Sequence, residues 1–317
     1  MSDAGVAIGV DVGGTKVLGA VVDRDGCVLE EHRVYSPAGW AELRGAIVGV
    51  VDELRVRVPE VRALGVGAAG MVDREGVIHY SPNVLGFRKA PVRADLEAAT
   101  DLAVTVDNDA NVAAYAEVKL GVARGATDAL VITLGTGIGG GVIVDGRVLR
   151  GAHGFAAEVG HFQVDPDGPL CACGERGHWE AMASGSALGR MGREAATAGD
   201  APSVLAAAGG AVEEVAGVHV SAAAHARAPD ALAIVDRYSY NVAIGLVGLA
   251  NIFDPSLIAI AGGLVKDGEL FLGPIRTHFL GHIEGADYRP APEIVTAAFG
   301  ERAGVVGAAL LALDARR

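Results

Sequence analysis

The chain has 317 residues, 51% of them hydrophobic, and a formal net charge of −13. That length suits two cores at roughly 100–200 residues per domain, and the acidic balance argues against a nucleic-acid partner, because phosphate backbones attract basic patches. No uncharged apolar stretch reaches the ~18–20 residues that span a bilayer, and Met-Ser-Asp-Ala-Gly is not a basic leader, so no membrane partner is expected and the expected location is cytoplasmic.

In chain order, three strands are expected over Val6–Val12, Val17–Val22 and Val28–Val34, then an amphipathic helix from Trp40 to Val58 and a strand over Arg62–Gly67. Small residues follow at Ala68-Ala69-Gly70, where a ligand can approach the backbone. Val104-Thr105-Val106 reads as strand, Asp107-Asn108-Asp109 ends it, and Ala110 to Leu120 has helical composition. From about residue 122 the strand–turn–strand pattern starts again with Leu130–Leu134 and Gly141–Val144, a weak internal repeat that marks a domain boundary. A loop-rich insertion, His153 to Glu180, precedes helices over Ser184–Ala198, Ser221–Ala226 and Pro229–Phe253, the last stopped by Asp254-Pro255. Strands at Leu257–Ala261 and Ile294–Ala298 and a final apolar helix, Ala303–Leu313, complete the reading.

Two glycine-rich turns carry the functional signal. Asp11-Val12-Gly13-Gly14-Thr15-Lys16 and Gly135-Thr136-Gly137-Ile138-Gly139-Gly140-Gly141 each follow one apolar strand and lead into another. Glycine lets backbone N–H groups turn inward around phosphate oxygens, while Thr15, Lys16 and Thr136 add side-chain donors and Asp11 can face a metal ion. Two such clamps suggest a nucleotide held in a cleft between two half-domains. The second turn satisfies GxGxxG, but a strand rather than a helix follows it, which excludes a dinucleotide fingerprint. The first lacks the spacing of a Walker loop and also runs on as strand.

Asp109 stands at the head of the expected helix, where a carboxylate can act as a general base toward an acceptor hydroxyl. A carboxylate there also suits a helix N-cap. Thr105, Asp107 and Asn111 are left as structural. Glu158, His161 and Glu180 group several donors and acceptors around the cysteine loop, and Asn108, whose amide both donates and accepts, Gly70 and Asn83 are further candidates for a ligand pocket. Of three cysteines, Cys171 and Cys173 have a metal-ligand spacing and Cys27 is left over.

At Asp11–Lys16, Asn108-Asp109-Ala110-Asn111, Leu134–Gly141, Glu158-Val159-Gly160-His161 and Cys171-Ala172-Cys173-Gly174, the chain resembles the ROK family of sugar kinases and sugar-responsive repressors, and within it the bacterial ATP-dependent glucokinases. The resemblance implies an α/β chain of actin-like ATPase fold, with two ribonuclease-H-like domains and an interdomain cleft. The expected small domain is 1–113 plus 302–317, with the first phosphate loop and Asp109; the large one is 114–301, with the second phosphate loop, the zinc loop and the adenosine site. It implies Asp109 as the base that takes the proton of a sugar hydroxyl, sugar contacts for Gly70, Asn83, Asn108, Asp109, Glu158, His161 and Glu180, phosphate contacts for Asp11, Gly13, Gly14, Thr15, Lys16, Gly135, Thr136 and Gly137, and adenosine contacts near Gly262, Gly263 and Leu264. The family's metal pattern, CxCGxxGCxE, has His178 in place of its third cysteine here, so the expected zinc ligands are His161, Cys171, Cys173 and His178. The implied reaction is transfer of the γ-phosphate of ATP to the 6-hydroxyl of glucose with Mg²⁺, in a homodimer or homotetramer. Mannose, fructose, allose or an N-acetylhexosamine as acceptor, and polyphosphate as donor, stay open. A repressor is the remaining alternative, although only ten residues precede Asp11, too few for a DNA-binding module.

Overall fold

The computed structural model describes residues 5–81, 84 and 86–316. The strands are β1 (Val6–Val12), β2 (Lys16–Asp23), β3 (Val28–Tyr35), β4 (Ala63–Ala68), β5 (Met71–Val72), β6 (Ile78–Tyr80), β7 (Arg88–Ala90), β8 (Ala103–Asn108), β9 (Ala129–Leu134), β10 (Ile138–Val144), β11 (Arg147–Val148), β12 (Leu257–Ala261) and β13 (Glu293–Thr296). The helices are α1 (Trp40–Arg57), α2 (Val92–Thr100), α3 (Asp109–Lys119), α4 (Trp179–Ala183), α5 (Gly185–Ala198), α6 (Pro202–Ala207), α7 (Gly217–His225), α8 (Pro229–Phe253), α9 (Glu269–His282) and α10 (Ala303–Asp314). One sheet runs β3-β2-β1-β4-β8 and another β11-β10-β9-β12-β13. Both place the third, second and first strands of a meander side by side and then add later strands, which is the repeat expected from residue 122.

Contacts divide the chain into two compact units. The first is Met1–Val131 with Gly140–Ala157 and Ala297–Arg317; the second is Ile132–Gly139 with Glu158–Thr296.

In the first unit, β1 and β2 form an antiparallel hairpin, with Val12 opposite Val17, and β4 and β8 add in parallel beside β1. The helix α1 places Leu43, Ile47, Val50, Val51 and Leu54 at helical spacing, all buried, and packs that stripe on β2 and β3. On the other sheet face lies α10, too apolar for a surface helix. It sits nearly backbone to backbone on the strands: a Cβ at Gly9 would stand 1.8 Å from the Val305 carbonyl oxygen, and one at Gly65 1.8 Å from that of Ala308. A three-stranded sheet, β5-β6-β7, follows β4.

In the second unit the long α8 is the spine. Trp179, fully buried, lies against Gly245 and donates its indole N–H to the Asn241 carbonyl at 3.0 Å, and the Tyr238 hydroxyl donates to the Ala183 carbonyl at 2.6 Å. These contacts fasten α4 to α8. Parallel pairing of β12 and β13 brings Ala261, and with it Gly262, to the end of the sheet. No helix among the described residues is long and apolar enough to cross a membrane.

Candidate active site

The hairpin between β1 and β2 carries the first glycine turn. Its Gly13 N–H donates to the Lys16 carbonyl at 3.0 Å, and Gly14 and Thr15 face solvent at the tip. Asp11, the penultimate residue of β1, is partly buried beside α10, where a Cβ at Gly304 would come within 2.9 Å of its carboxyl carbon.

Two strands away, β8 passes directly into α3. Asn108 is the N-cap: its Oδ1 accepts from the N–H groups of Ala110 at 2.8 Å and Asn111 at 3.2 Å, and its Nδ2 donates to the Gly70 carbonyl at 3.2 Å. Asp109 is therefore the first residue of the helix and not its cap. Its Oδ1 accepts from the Ala110 N–H at 2.9 Å. Burial raises the Asp109 carboxyl above its ordinary value, against the opposing pull of that N–H. Burial and the Asp109 charge likewise push Asp11 up to about 6, with Lys16 pulling the other way. Gly70 lies between β4 and β5 at φ +128°, where a Cβ would meet the Tyr80 carbonyl at 2.4 Å. Asn83 lies outside the described residues.

The second unit holds the other glycine turn. Here Gly135 N–H donates to Gly137 O at 3.0 Å, and two carbonyls are tied to the start of α5: Gly135 O accepts from Gly185 N–H at 2.7 Å and Thr136 O from the Ser186 hydroxyl at 2.7 Å. In a trans peptide the N–H points opposite to the C=O, so the N–H groups of Thr136 and Gly137 are turned away from α5. Backbone N–H groups left facing outward in this way are available to an acceptor. Gly262, at φ +101°, packs on this turn's strand: a Cβ there would stand 2.2 Å from the Leu134 carbonyl oxygen, so only glycine brings Gly262, Gly263 and Leu264 so close to β9.

His161, Cys171, Cys173 and His178 converge, with one ligand atom from each all within 4.8 Å of one another. Cys173 Sγ is 3.2 Å from His178 Nδ1, and Cys171 Sγ is 3.8 Å from His161 Nδ1. A tetrahedral zinc site with Zn–S near 2.3 Å and Zn–N near 2.0 Å has edges of about 3.3–3.8 Å, so two thiols and two imidazoles at these distances fit the ion. Glu180 adjoins the cluster. Its Oε1 lies 3.6 Å from Cys171 Sγ, and its Oε2 accepts from the Ile138 N–H at 2.9 Å, just past the glycine turn. Glu158 is exposed and its carbonyl accepts the His161 N–H at 3.0 Å.

The sequence model of the ROK family matches residues 7–315. The chain belongs to the ROK family. A Streptomyces coelicolor protein named glucokinase is 41% identical to this ROK protein over 313 residues, 98% of each chain. A glucokinase from Thermotoga maritima is 35% identical over 306 residues, 95% of each. Among solved structures, a ROK family glucokinase from Streptomyces griseus in complex with glucose and AMPPNP matches with a TM-score of 0.88 and 40% identity, covering 98% of this chain and 100% of that one. The fold is accordingly the actin-like ATPase fold of the ROK glucokinases.

The structure of this ROK protein thus brings the sequence candidates together in two groups. Asp11, Lys16, Gly70, Asn108 and Asp109 lie in the first unit; Gly135–Gly137, Glu158, His161, the cysteines, His178, Glu180 and Gly262–Leu264 lie in the second. One contact beside Asn108 was not legible in sequence. Arg150 donates from Nε and Nη2 to Asp107 Oδ2, both at 2.7 Å, across a separation of 43 residues that no spacing rule reads.

Proposed function

We propose that this protein is a glucokinase that transfers the γ-phosphoryl group of ATP to the 6-hydroxyl of glucose. The observation that carries the reading is Asp109: a desolvated carboxylate with a raised pKa, standing first in α3 behind the Asn108 cap, in a ROK chain 41% identical to a glucokinase over 98% of its length. Asp109 accepts the hydroxyl proton as the sugar oxygen forms its bond to the γ-phosphorus, the bond from that phosphorus to the bridging oxygen breaks, and ADP leaves.

The remaining roles follow from placement. The two glycine turns offer N–H donors to the phosphates, and Lys16 adds a cation. Asp11 would hold Mg²⁺, which on binding supplies positive charge to the transferring phosphoryl group. A partly buried carboxylate near a second carboxylate suits that ion, because the cation offsets both the desolvation and the repulsion that raise Asp11. His161, Cys171, Cys173 and His178 would hold a structural zinc. With Nδ1 of His161 directed at the cluster, its Nε2 is left for a sugar hydroxyl. Glu158 and Glu180 complete the sugar contacts, and Gly262, Gly263 and Leu264 take the adenosine.

A coupled assay over glucose, mannose, fructose, allose and N-acetylhexosamines, each with ATP and with polyphosphate, tests the proposal. Glucose with ATP should have the highest kcat/KM. A preference for another hexose or for polyphosphate would reassign the substrate, and glucose binding without turnover on any acceptor would point to a sugar-sensing regulator.

A further inference from the structure

Asp107 is the residue on which the β8–α3 junction is built. It is only 5% exposed, and its carboxylate serves four donors. Oδ1 accepts from the Asn108 N–H at 2.8 Å and from Asn111 Nδ2 at 2.9 Å, and Oδ2 accepts from Arg150 Nε and Nη2, both at 2.7 Å. A buried carboxylate keeps such a geometry only while its charge is compensated. Arg150 supplies the compensating charge. Its guanidinium, about one-third exposed, is itself held by the Val148 carbonyl at 3.4 Å, and its own carbonyl accepts the Ala156 N–H at 3.2 Å.

From Asp107 the order passes to the catalytic turn. Asn108 is fixed at its N–H by Asp107, at its side-chain oxygen by α3 and at its amide by Gly70, so the direction in which Asp109 leaves the strand is set by the peptide that Asp107 grips. Asn111 has its amide on Asp107, while its buried Oδ1 has no hydrogen-bond partner among the described residues; without Asp107 the amide would lose its partner as well.

We propose that Arg150 is a positioning residue for phosphoryl transfer: through its ion pair with Asp107 it holds Asn108 and Asp109 in the orientation that receives the sugar hydroxyl. This rests on the reading of Asp109 as the base. Losing the guanidinium frees Asp107 to turn toward water, loosening the Asn108 peptide and the first turn of α3. Lysine keeps the charge but cannot present the fork in which Nε and Nη2 converge on one carboxylate oxygen. A misdirection of the base by about 1 Å is enough to cost up to ~10²-fold in rate.

The test compares Arg150→Ala, Arg150→Lys and Asp109→Asn, each checked for folding by its melting curve. Arg150→Ala should lose about 10–100-fold in kcat and bind glucose several-fold more weakly by calorimetry, with KM for ATP unchanged. Millimolar guanidinium should restore part of the lost kcat. Arg150→Lys, the variant safer for folding, should lose about 3–10-fold in kcat with the same KM pattern and no response to guanidinium. A folded Arg150→Ala or Arg150→Lys with kcat and glucose affinity within twofold of wild type would overturn the proposal. So would an Arg150→Ala deficit that falls equally on ATP and glucose and ignores guanidinium. If Asp109→Asn stays active, the base assignment fails instead; if it is inactive while the Arg150 variants are normal, only the positioning role fails.

Discussion

Asp11 lies within reach of the Asp109 charge: burial first, and that charge second, carry the Asp11 carboxyl from 3.8 to about 6, against the pull of Lys16. The folded state therefore prefers Asp11 protonated, which favours folding below the unfolded value near 4, and this contribution is lost as the pH rises through about 6. At pH 7.5, without nucleotide, ionised Asp11 opposes folding. Asp11→Asn should then stabilise the apo-protein by about 1–3 kcal/mol at pH 7.5 and far less at pH 4, while lowering activity strongly. Thermal unfolding of both proteins at the two pH values checks this; an Asn variant less stable than wild type at pH 7.5 would contradict it.

As the proposed base, Asp109 must be ionised to take a proton, and its carboxyl is raised by burial. The acid limb of kcat/KM for glucose, at saturating ATP and Mg²⁺, should consequently lie above the ordinary carboxylate range, with activity rising with pH to a plateau. Because Asp11 and Asp109 interact, the limb reports the pair. A profile already flat from pH 4 upward would refute a raised base.

Removing the metal should act through the loop that carries His161 and Glu180. Purified protein should hold about one zinc per chain, and Cys171→Ser should release it, raising KM for glucose more than KM for ATP. His178→Cys should retain both metal and most activity. Buried Trp179, next in sequence to His178, gives an independent signal: its fluorescence should shift when a chelator strips the ion. Fully active protein with no zinc would end this assignment.

Close packing of α10 predicts a stability defect with no catalytic cause. A Cβ at Gly65 would lie 1.8 Å from the Ala308 carbonyl oxygen, a backbone atom that cannot swing aside. Gly65→Ala should cost ~1–3 kcal/mol or more, seen as a lower midpoint in denaturant titration. An unchanged midpoint would show that α10 can be displaced without penalty.

Much of this was legible in sequence because the signals are local. The paired glycine turns, the strands beside them, α1 and α8 announce themselves by period and by turn residues; β1, β2, β9, α1 and α8 lie within a residue of their expected limits, while β10 begins at Ile138, three residues before the expected Gly141. Helices α2, α4 and α6 were not anticipated, and for other missed elements the silence has a physical reason. The strands β5, β6 and β7 span two or three residues each, too short to show alternation, and α9 carries Gly273 and Pro274 in its interior, which read as a break. At the site, Asp109 was open to two readings, base or N-cap, and the structure gives the cap to Asn108, one residue earlier. The Asp107–Arg150 pair depends on which distant segments meet, as does the need for glycine at positions 9 and 65 beneath α10. Composition says nothing of either.

The most direct measurement of the central claim is phosphorus NMR of glucose incubated with ATP, Mg²⁺ and either wild-type protein or Asp109→Asn. Wild type should convert ATP to ADP and accumulate glucose 6-phosphate, and the Asn variant should do so about 10²–10⁴-fold more slowly while still binding glucose in calorimetry. Glucose 6-phosphate formed by the variant at near wild-type rate, or none formed by the zinc-replete wild type, would contradict the account.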